Sequence, residues 1–249
     1  MNAVERSGPR HRGPSLLIVG IVYALLFASS LALSTAMAGG VHYPSPFADQ
    51  ALASRFFTEH AAAVRIGAFL QLGAAVPLGV YAATAVSRLR FLGTEVAGIS
   101  IAFFGGIGAS LMLAFSALVS WVLSHAGSDS LAALHSLHLL AFATGGPGHV
   151  VLLGLLVAGM AVPGGLLRLL PRWMMWFGLV VAAVAELSAL SLLVPQLFVL
   201  LPAARFPAFV WLIAASALLP KSRKGRPAAA PQAPSSAGSP ALGLAGGAQ

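Results

Sequence analysis

Cysteine is absent from this chain of 249 residues, and charged residues make up only 8% of it. The lack of cysteine excludes thiolate catalysis, zinc or iron–sulfur centres held by cysteine, and a disulfide scaffold. Soluble domains carry about 25% charged residues, so the shortage of charge excludes an ordinary water-exposed surface. The chain is also 58% hydrophobic, which excludes a disordered protein. Together these features predict an integral membrane protein.

Six apolar segments approach the length of about 20 residues that a helix needs to cross a bilayer. The first contains no charge from Ser15 to Ala38. The others are expected near residues 63–86, 96–124, within 131–162, at 173–194 and, shorter, at 203–219. The alternating pattern of barrel strands is absent from the sequence. The chain is therefore expected to be all-α, a polytopic transmembrane helix bundle of six spans.

The distribution of Lys and Arg predicts the orientation of these spans, because cytoplasmic loops are enriched in both. With the N-terminus inside, the external side carries only Arg55, Arg65 and Arg205. Eleven basic residues fall on the inner side: Arg6, Arg10, Arg12, Arg88, Arg90, Arg168, Arg172, Lys221, Arg223, Lys224 and Arg226. We therefore expect an N-in/C-in protein. The formal net charge of +8 is then explained by the basic residues of the cytoplasmic side and does not indicate nucleic-acid binding.

Three regions follow from this organisation. Residues 1–14 form a cytoplasmic N-terminal segment, 15–220 the six-helix transmembrane domain, and 221–249 a disordered cytoplasmic tail rich in Ala, Pro, Gly and Ser. Within the domain, residues from about 40 to 62 are expected on the external surface. There, Ser45 followed by Pro46 suggests the N-cap and first position of a surface helix. Residues 36–38 resemble a signal-peptide cleavage site, but the apolar run before them favours an uncleaved first span.

Small residues recur at steps of three and four in two spans. In the third span they follow Gly98, Ala102, Gly105 and Ala109, and the series continues to Met112, Ser116 and Ser120. The fifth span repeats the pattern with Gly178, Ala182 and Ala189. Such residues let helices approach closely in lipid, so we expect close helix packing, with a lined pore as the alternative.

A helix break and three histidines are the first candidates for a site. Gly145-Gly146-Pro147-Gly148 interrupts the fourth span, which predicts either a kink or the wall of a ligand cavity. His135 and His138 share a helix face just before the break, and His149 follows it. Histidines so placed can hold a metal or haem, but no third ligand is evident, so no metal ligands and no cofactor are assigned.

Glu186 is the only acidic residue deep inside a span, where burial costs at least ~2.5 kcal/mol. Val162 and Trp173 flank a short cytoplasmic loop, and thirteen residues from each lie His149 and Glu186. Both therefore lie at the same depth on neighbouring helices, which predicts a buried His149–Glu186 pair. Arg65 and Arg205 are weaker candidates to pair with Glu186, because both begin near the outer membrane surface and lean toward that surface, away from Glu186. Both are also possible ligand or cavity residues.

The later half of the chain carries a recognisable set of short motifs. These are Leu170-Pro171-Arg172-Trp173, Trp176-Phe177-Gly178-Leu179, Arg205-Phe206-Pro207, Phe209-Val210-Trp211-Leu212-Ile213 and Leu219-Pro220, with Val76-Pro77-Leu78 in the second span. In these motifs the chain resembles a bacterial family of six-span membrane proteins that is classed as a domain of unknown function. The resemblance covers most of residues 14–220 and implies a topology without an activity.

Three functions remain open at this point. The first is a non-enzymatic, multi-pass protein of a bacterial plasma membrane, which acts through helix packing or through an unidentified membrane protein partner. The second is a small transporter or proton-linked carrier that uses Glu186 and the break near Pro147. The third is a haem or metal redox protein that uses His135, His138 and His149. No catalytic residue is assigned, because the sequence contains no recognised enzyme motif.

Overall fold

The computed structural model describes residues 11–47, 49–125 and 131–222, and all regular elements in these ranges are helices. The expectations for residues 1–10 and for the tail from 223 onward therefore lie outside the described residues. The helices are α1 (Leu16–Met37), α2 (Gln50–Glu59), α3 (Ala61–Phe91), α4 (Ala97–Leu123), α5 (Leu131–Ala143), α6 (His149–Leu166), α7 (Arg172–Leu187) and α8 (Leu200–Leu218).

Six helical segments are long and apolar enough to cross a membrane, which confirms the all-α fold with six spans. They are α1, α3, α4, the pair α5–α6 (Leu131–Leu166), α7 with its 3-10 extension (Arg172–Leu192), and α8 with the turn before it (Pro195–Leu218). The last span is longer than expected. It begins at Pro195 because a 3-10 turn with proline in its first position leads directly into α8.

The spans form a closed ring in chain order. α3 packs between α1 and α4, α4 packs on α6, α6 packs on α7, and α7 packs on α8. α1 contacts α8, so the first and last spans complete the ring. We call the end that carries Arg88, Arg90, Arg168, Arg172 and Lys221 the basic end, and the opposite end, which carries the short helix, the α2 end.

The segment between α1 and α3 contains the surface helix that the sequence predicts, but with a different start. The side chain of Asp49, not of Ser45, caps α2 by accepting a hydrogen bond from the backbone N–H of Ala51 at 2.9 Å. Ser45 instead accepts from the N–H of Phe47 in the preceding turn. A single residue, His60, separates α2 from α3, so the surface helix bends directly into the second span.

The small residues of α4 allow its backbone to touch that of α6. A Cβ atom on Gly105 would lie 2.6 Å from the carbonyl oxygen of Leu152, and one on Gly159 would lie 2.5 Å from the amide nitrogen of Ala102. Gly178 in α7 likewise makes room for Trp211. Since these neighbours include backbone atoms, the expected role of the small residues in helix packing is confirmed at this interface.

Candidate functional site

A cavity of about 390 Å³ lies at the α2 end of the ring, beside the break in the fourth span. Its walls come from α1, α3, α4, α5, the break and α8, and the turn at residues 43–46 also lines it. The wall is partly apolar, with Phe27 and Phe142 among its residues. The polar part of the wall includes Tyr43, Gln71, Ser116, Ser120, His138 and Arg205.

The break itself is a π-helical turn at Thr144–Gly148, with non-helical backbone angles at Gly146. Proline lacks a backbone N–H, so Pro147 leaves the helical ladder incomplete, and other donors must satisfy the freed carbonyls. The guanidinium of Arg205 donates to the carbonyl oxygen of Gly145. The hydroxyl of Ser116 donates to the carbonyl of Ala141 at 2.8 Å, and the Gln71 amide donates to Ser116 at 3.2 Å. The break therefore forms part of a hydrogen-bonded cavity wall.

Arg205 is half-buried, and its side chain lines the cavity. Ala204 and Ala208, its neighbours on α8, are buried, so this side of the helix packs against the bundle. The guanidinium carbon lies 5.0 Å from the ring centroid of Phe27, within the range of a cation–π contact. In the part of the chain that the structure describes, Nη2 bonds to Gly145, whereas Nε has no hydrogen-bond partner.

No carboxylate of the described residues forms an ion pair with Arg205. Among residues 11–47, 49–125 and 131–222, the one ion pair joins Arg55 to Glu59 on the exposed surface of α2. A buried cation normally needs an anionic partner, because desolvation costs several kcal/mol. In the described part of the chain, Arg205 contacts the Gly145 carbonyl oxygen and the face of the Phe27 ring, and neither is an anion.

Tyr43 and His138 form one side of the cavity next to α2. The Tyr43 ring packs edge-on against Phe57 at 5.4 Å and against His138 at 5.6 Å, measured between ring centroids. Tyr43 is 42% exposed, but desolvation of its hydroxyl raises the pKa of Tyr43 above its usual value, and a hydrogen bond with Ser120 opposes that rise. His138 is buried and bonds to the carbonyl of Pro44, while its Nδ1 has no partner within the described ranges.

His149, the first residue of α6, is fully buried and links α6 to α1 and α4. Its Nδ1 lies 2.9 Å from the carbonyl oxygen of Ala109 in α4, and its Nε2 lies 3.3 Å from the Tyr23 hydroxyl in α1. A carbonyl can only accept a hydrogen bond, so Nδ1 carries the proton and donates to Ala109. In the neutral ring Nε2 is then an acceptor, and Tyr23 donates to it.

The structure does not bring His149 and Glu186 together, so the predicted pair is wrong. Both nitrogens of His149 are already bonded, and Glu186 is exposed on the outside of the bundle. No described residue, including Arg65 and Arg205, forms a hydrogen bond or ion pair with Glu186. Val150 and Ala185, the sequence neighbours of the two residues, belong to one buried cluster, so α6 and α7 pack together here. The error lies in the rotation of α7, which turns Ala185 inward and Glu186 outward.

The other residues predicted to belong to a site, His135 and Arg65, lie apart from the cavity. His135 is half-buried on α5, and no group of three His, Asp or Glu side chains suited to a metal ion occurs among the described residues. Arg65 is exposed and lines a separate apolar groove with Trp121. Neither residue reaches the cavity beside the break.

Four residues at these sites were not predicted from the sequence: Tyr23, Tyr43, Gln71, and Ser116 as a hydrogen-bonding residue. Gln71 offered a signal, because it is an uncharged polar residue in the middle of an apolar span and needs a hydrogen-bond partner there. Tyr23 offered the same signal in α1.

Comparison of the chain with family models, with curated proteins and with solved structures finds no match.

Proposed function

We propose that this chain is a multi-pass protein of a bacterial plasma membrane that binds a small organic anion in the cavity beside its fourth-span break. The observation that carries the proposal is the inward-facing Arg205, a cation at the cavity wall without a carboxylate partner among the described residues. A ligand with a carboxylate or a similar group would supply the missing negative charge. The proposed function is binding without catalysis, because the described lining of the cavity offers binding groups and no recognised nucleophile–base pair.

The size and lining of the cavity favour an organic ligand over a bare inorganic ion. Small-molecule sites commonly occupy about 300–1,000 Å³ and combine apolar walls with a few polar groups. The cavity, at about 390 Å³, falls near the lower limit of that range. Phe27 and Phe142 would contact the apolar body of the ligand, while Arg205 and Gln71 would direct its polar end toward the break.

The first test uses a pair of probes that differ in charge. We expect 4-fluorobenzoate to bind the detergent-solubilised protein with saturable broadening in ¹⁹F NMR, and 4-fluorobenzyl alcohol to bind more weakly. The substitution Arg205→Met should weaken benzoate binding by about ten- to a hundredfold, because a hydrogen bond to a charged group contributes ~1.5–3 kcal/mol. Arg65→Met removes the same charge from an exposed position and should leave binding unchanged.

Arg205→Lys provides a second variant, since lysine keeps the charge and a donor for the Gly145 carbonyl. Its benzoate affinity should lie between those of the wild-type protein and Arg205→Met. Equal binding of the acid and the alcohol would contradict the proposal. So would an Arg205→Met protein that is folded and binds benzoate as well as Arg65→Met does.

A carrier function is the second candidate, favoured by the π-helical break that forms one wall of the cavity. Broken helices line the substrate sites of many transporters, where their freed backbone groups bind the cargo or bend during transport. A proton-linked mechanism through Glu186 has no support, because that side chain lies outside the ring. An unidentified membrane protein remains a candidate partner for the lipid-facing surface.

The proposed orientation is N-in and C-in, with the basic end in the cytoplasm. Reporter fusions that end at Gly40 and Val194 should report an external location. Fusions that end at Gly93, Arg168 and Lys221 should report a cytoplasmic one. The assay pairs alkaline phosphatase, active outside, with a fluorescent protein that folds inside. A cytoplasmic signal at Gly40, or an external signal at Gly93, would overturn the orientation.

A further inference from the structure

A second cavity, of about 360 Å³, lies at the basic end of the ring, opposite the cavity beside the break. Three parts of the chain meet there: the segment before α1 with the start of that helix, the end of α3, and the end of α8 with Lys221. The backbone N–H of His11 donates to the carbonyl of Lys221 at 3.2 Å, which ties the first segment to the last. His11 also bonds to Ser87 at 3.1 Å. The cavity is therefore built by contacts between elements that are distant in sequence.

Arg88 supplies a buried positive charge to this cavity. The residue is 6% exposed, and it donates through Nε to the carbonyl of Pro220 and through Nη2 to that of Leu219. Guanidinium has five N–H donors, so these two bonds leave three donors for another acceptor. Lys221 adds a second positive charge, and the described lining includes no carboxylate.

The start of α1 adds backbone donors at the same place. Ser15, Leu16 and Leu17 line the cavity, and the first helical hydrogen bond runs from the N–H of Val19 to Ser15. The N–H groups of Leu16 and Leu17 therefore have no acceptor within the helix. The Ser15 side chain forms no capping bond to them. Free N–H groups and the helix dipole both favour an anion at this position.

We propose that this basic cavity binds a phosphate group, which Arg88 and Lys221 hold together with the first backbone amides of α1. The phosphate belongs to an anionic lipid headgroup or to free phosphate, since both present the same oxygen atoms. Pockets of this kind between helices at the cytoplasmic face bind anionic lipid headgroups in other membrane proteins. The site is separate from the organic-anion cavity and does not depend on it.

The test compares lipids by native mass spectrometry of the full, delipidated chain in detergent. We expect phosphatidylglycerol to bind at least about tenfold more tightly than phosphatidylcholine, whose headgroup carries no net charge. Lys221→Gln should weaken phosphatidylglycerol binding about fivefold, and the double variant Arg88→Gln/Lys221→Gln should weaken it more than about tenfold. Arg90→Gln removes the same charge from an exposed site near the end of α3 that does not line the cavity, and it should change the affinity less than about twofold.

Inorganic phosphate distinguishes the two sources. If it displaces phosphatidylglycerol from the wild-type protein but not from Lys221→Gln, the site is one for phosphate in general. If it does not displace the lipid, and the variants still weaken lipid binding, the site requires a lipid. Equal binding of the two lipids would exclude selection of an anionic headgroup. Phosphatidylglycerol binding that Lys221→Gln leaves unchanged would overturn the proposal, as would an Arg90→Gln effect as large as that of Lys221→Gln. Because Arg88 also stabilises the end of α8, Lys221→Gln alone decides the result if the double variant does not fold.

Discussion

His149→Ala is expected to destabilise the detergent-solubilised protein by ~4 kcal/mol, and to lower its melting temperature by about ten degrees. The substitution leaves the Tyr23 hydroxyl without the ring nitrogen 3.3 Å away, and it removes the donor that lies 2.9 Å from the carbonyl of Ala109. It also opens a space at a position that is 0% exposed. Each buried hydrogen-bonding group left without a partner costs ~1–3 kcal/mol, and the new space adds to that cost.

Two companion variants separate this role from an ion pair with Glu186. Tyr23→Phe removes a single hydroxyl, so it should cost ~1 kcal/mol. Glu186→Ala should change the free energy of unfolding by less than ~0.5 kcal/mol, since the side chain is exposed and has no polar partner in the described part of the chain. A loss in Glu186→Ala as large as that in His149→Ala would restore the His149–Glu186 pair and contradict the structure. Thermal unfolding followed by tryptophan fluorescence measures all three variants.

Gly159→Ala is expected to destabilise the protein by ~3 kcal/mol, and Gly105→Ala by a similar amount. In each case the new methyl group would meet backbone atoms of the facing helix at about 2.6 Å or less. Backbone cannot turn aside as a flexible side chain can, so α4 and α6 would have to separate along their contact. The melting temperature should fall by about 5–10 °C for each variant.

Gly73→Ala is the matched control for these glycines. It introduces the same methyl group into α3, where the nearest foreign atom would be a Leu26 methyl carbon at 3.9 Å. Alanine also favours a helix more than glycine does, so this variant should be neutral or slightly stabilising. If Gly73→Ala lowers the melting temperature as much as Gly159→Ala does, the effect does not arise from the contact between α4 and α6.

The spans could be predicted from sequence because each depends on one continuous apolar run. The limits of α1, expected at Ser15–Ala38, differ from the observed Leu16–Met37 by one residue at each end. Depth along a helix could also be counted, since every residue adds the same rise. Rotation about the helix axis could not, because successive residues differ by about 100°. Ala185 therefore faces the core and Glu186 does not, although they occupy nearly the same depth.

The cavity beside the break could be predicted only in part. Its glycines and proline are adjacent in sequence, which is why the break was recognisable. Arg205 and Phe27 belong to the last and first spans, and their contact exists only because the ring closes between α8 and α1. Pairing across such a distance depends on how the helices are arranged, which the hydrophobic pattern of each span does not specify.

The contact between α1 and α8 has a consequence for biosynthesis. Helices enter the membrane in order from the ribosome, so the ring stays open until α8 has been inserted. Until then Tyr81 lacks the Leu212 carbonyl to which it donates at 2.8 Å, and Arg88 lacks its acceptors at Leu219 and Pro220. A chain that stops before α8 would expose these donors to lipid, where an unsatisfied polar group costs several kcal/mol. The ring is thus completed only when α8 packs against α1 and α3.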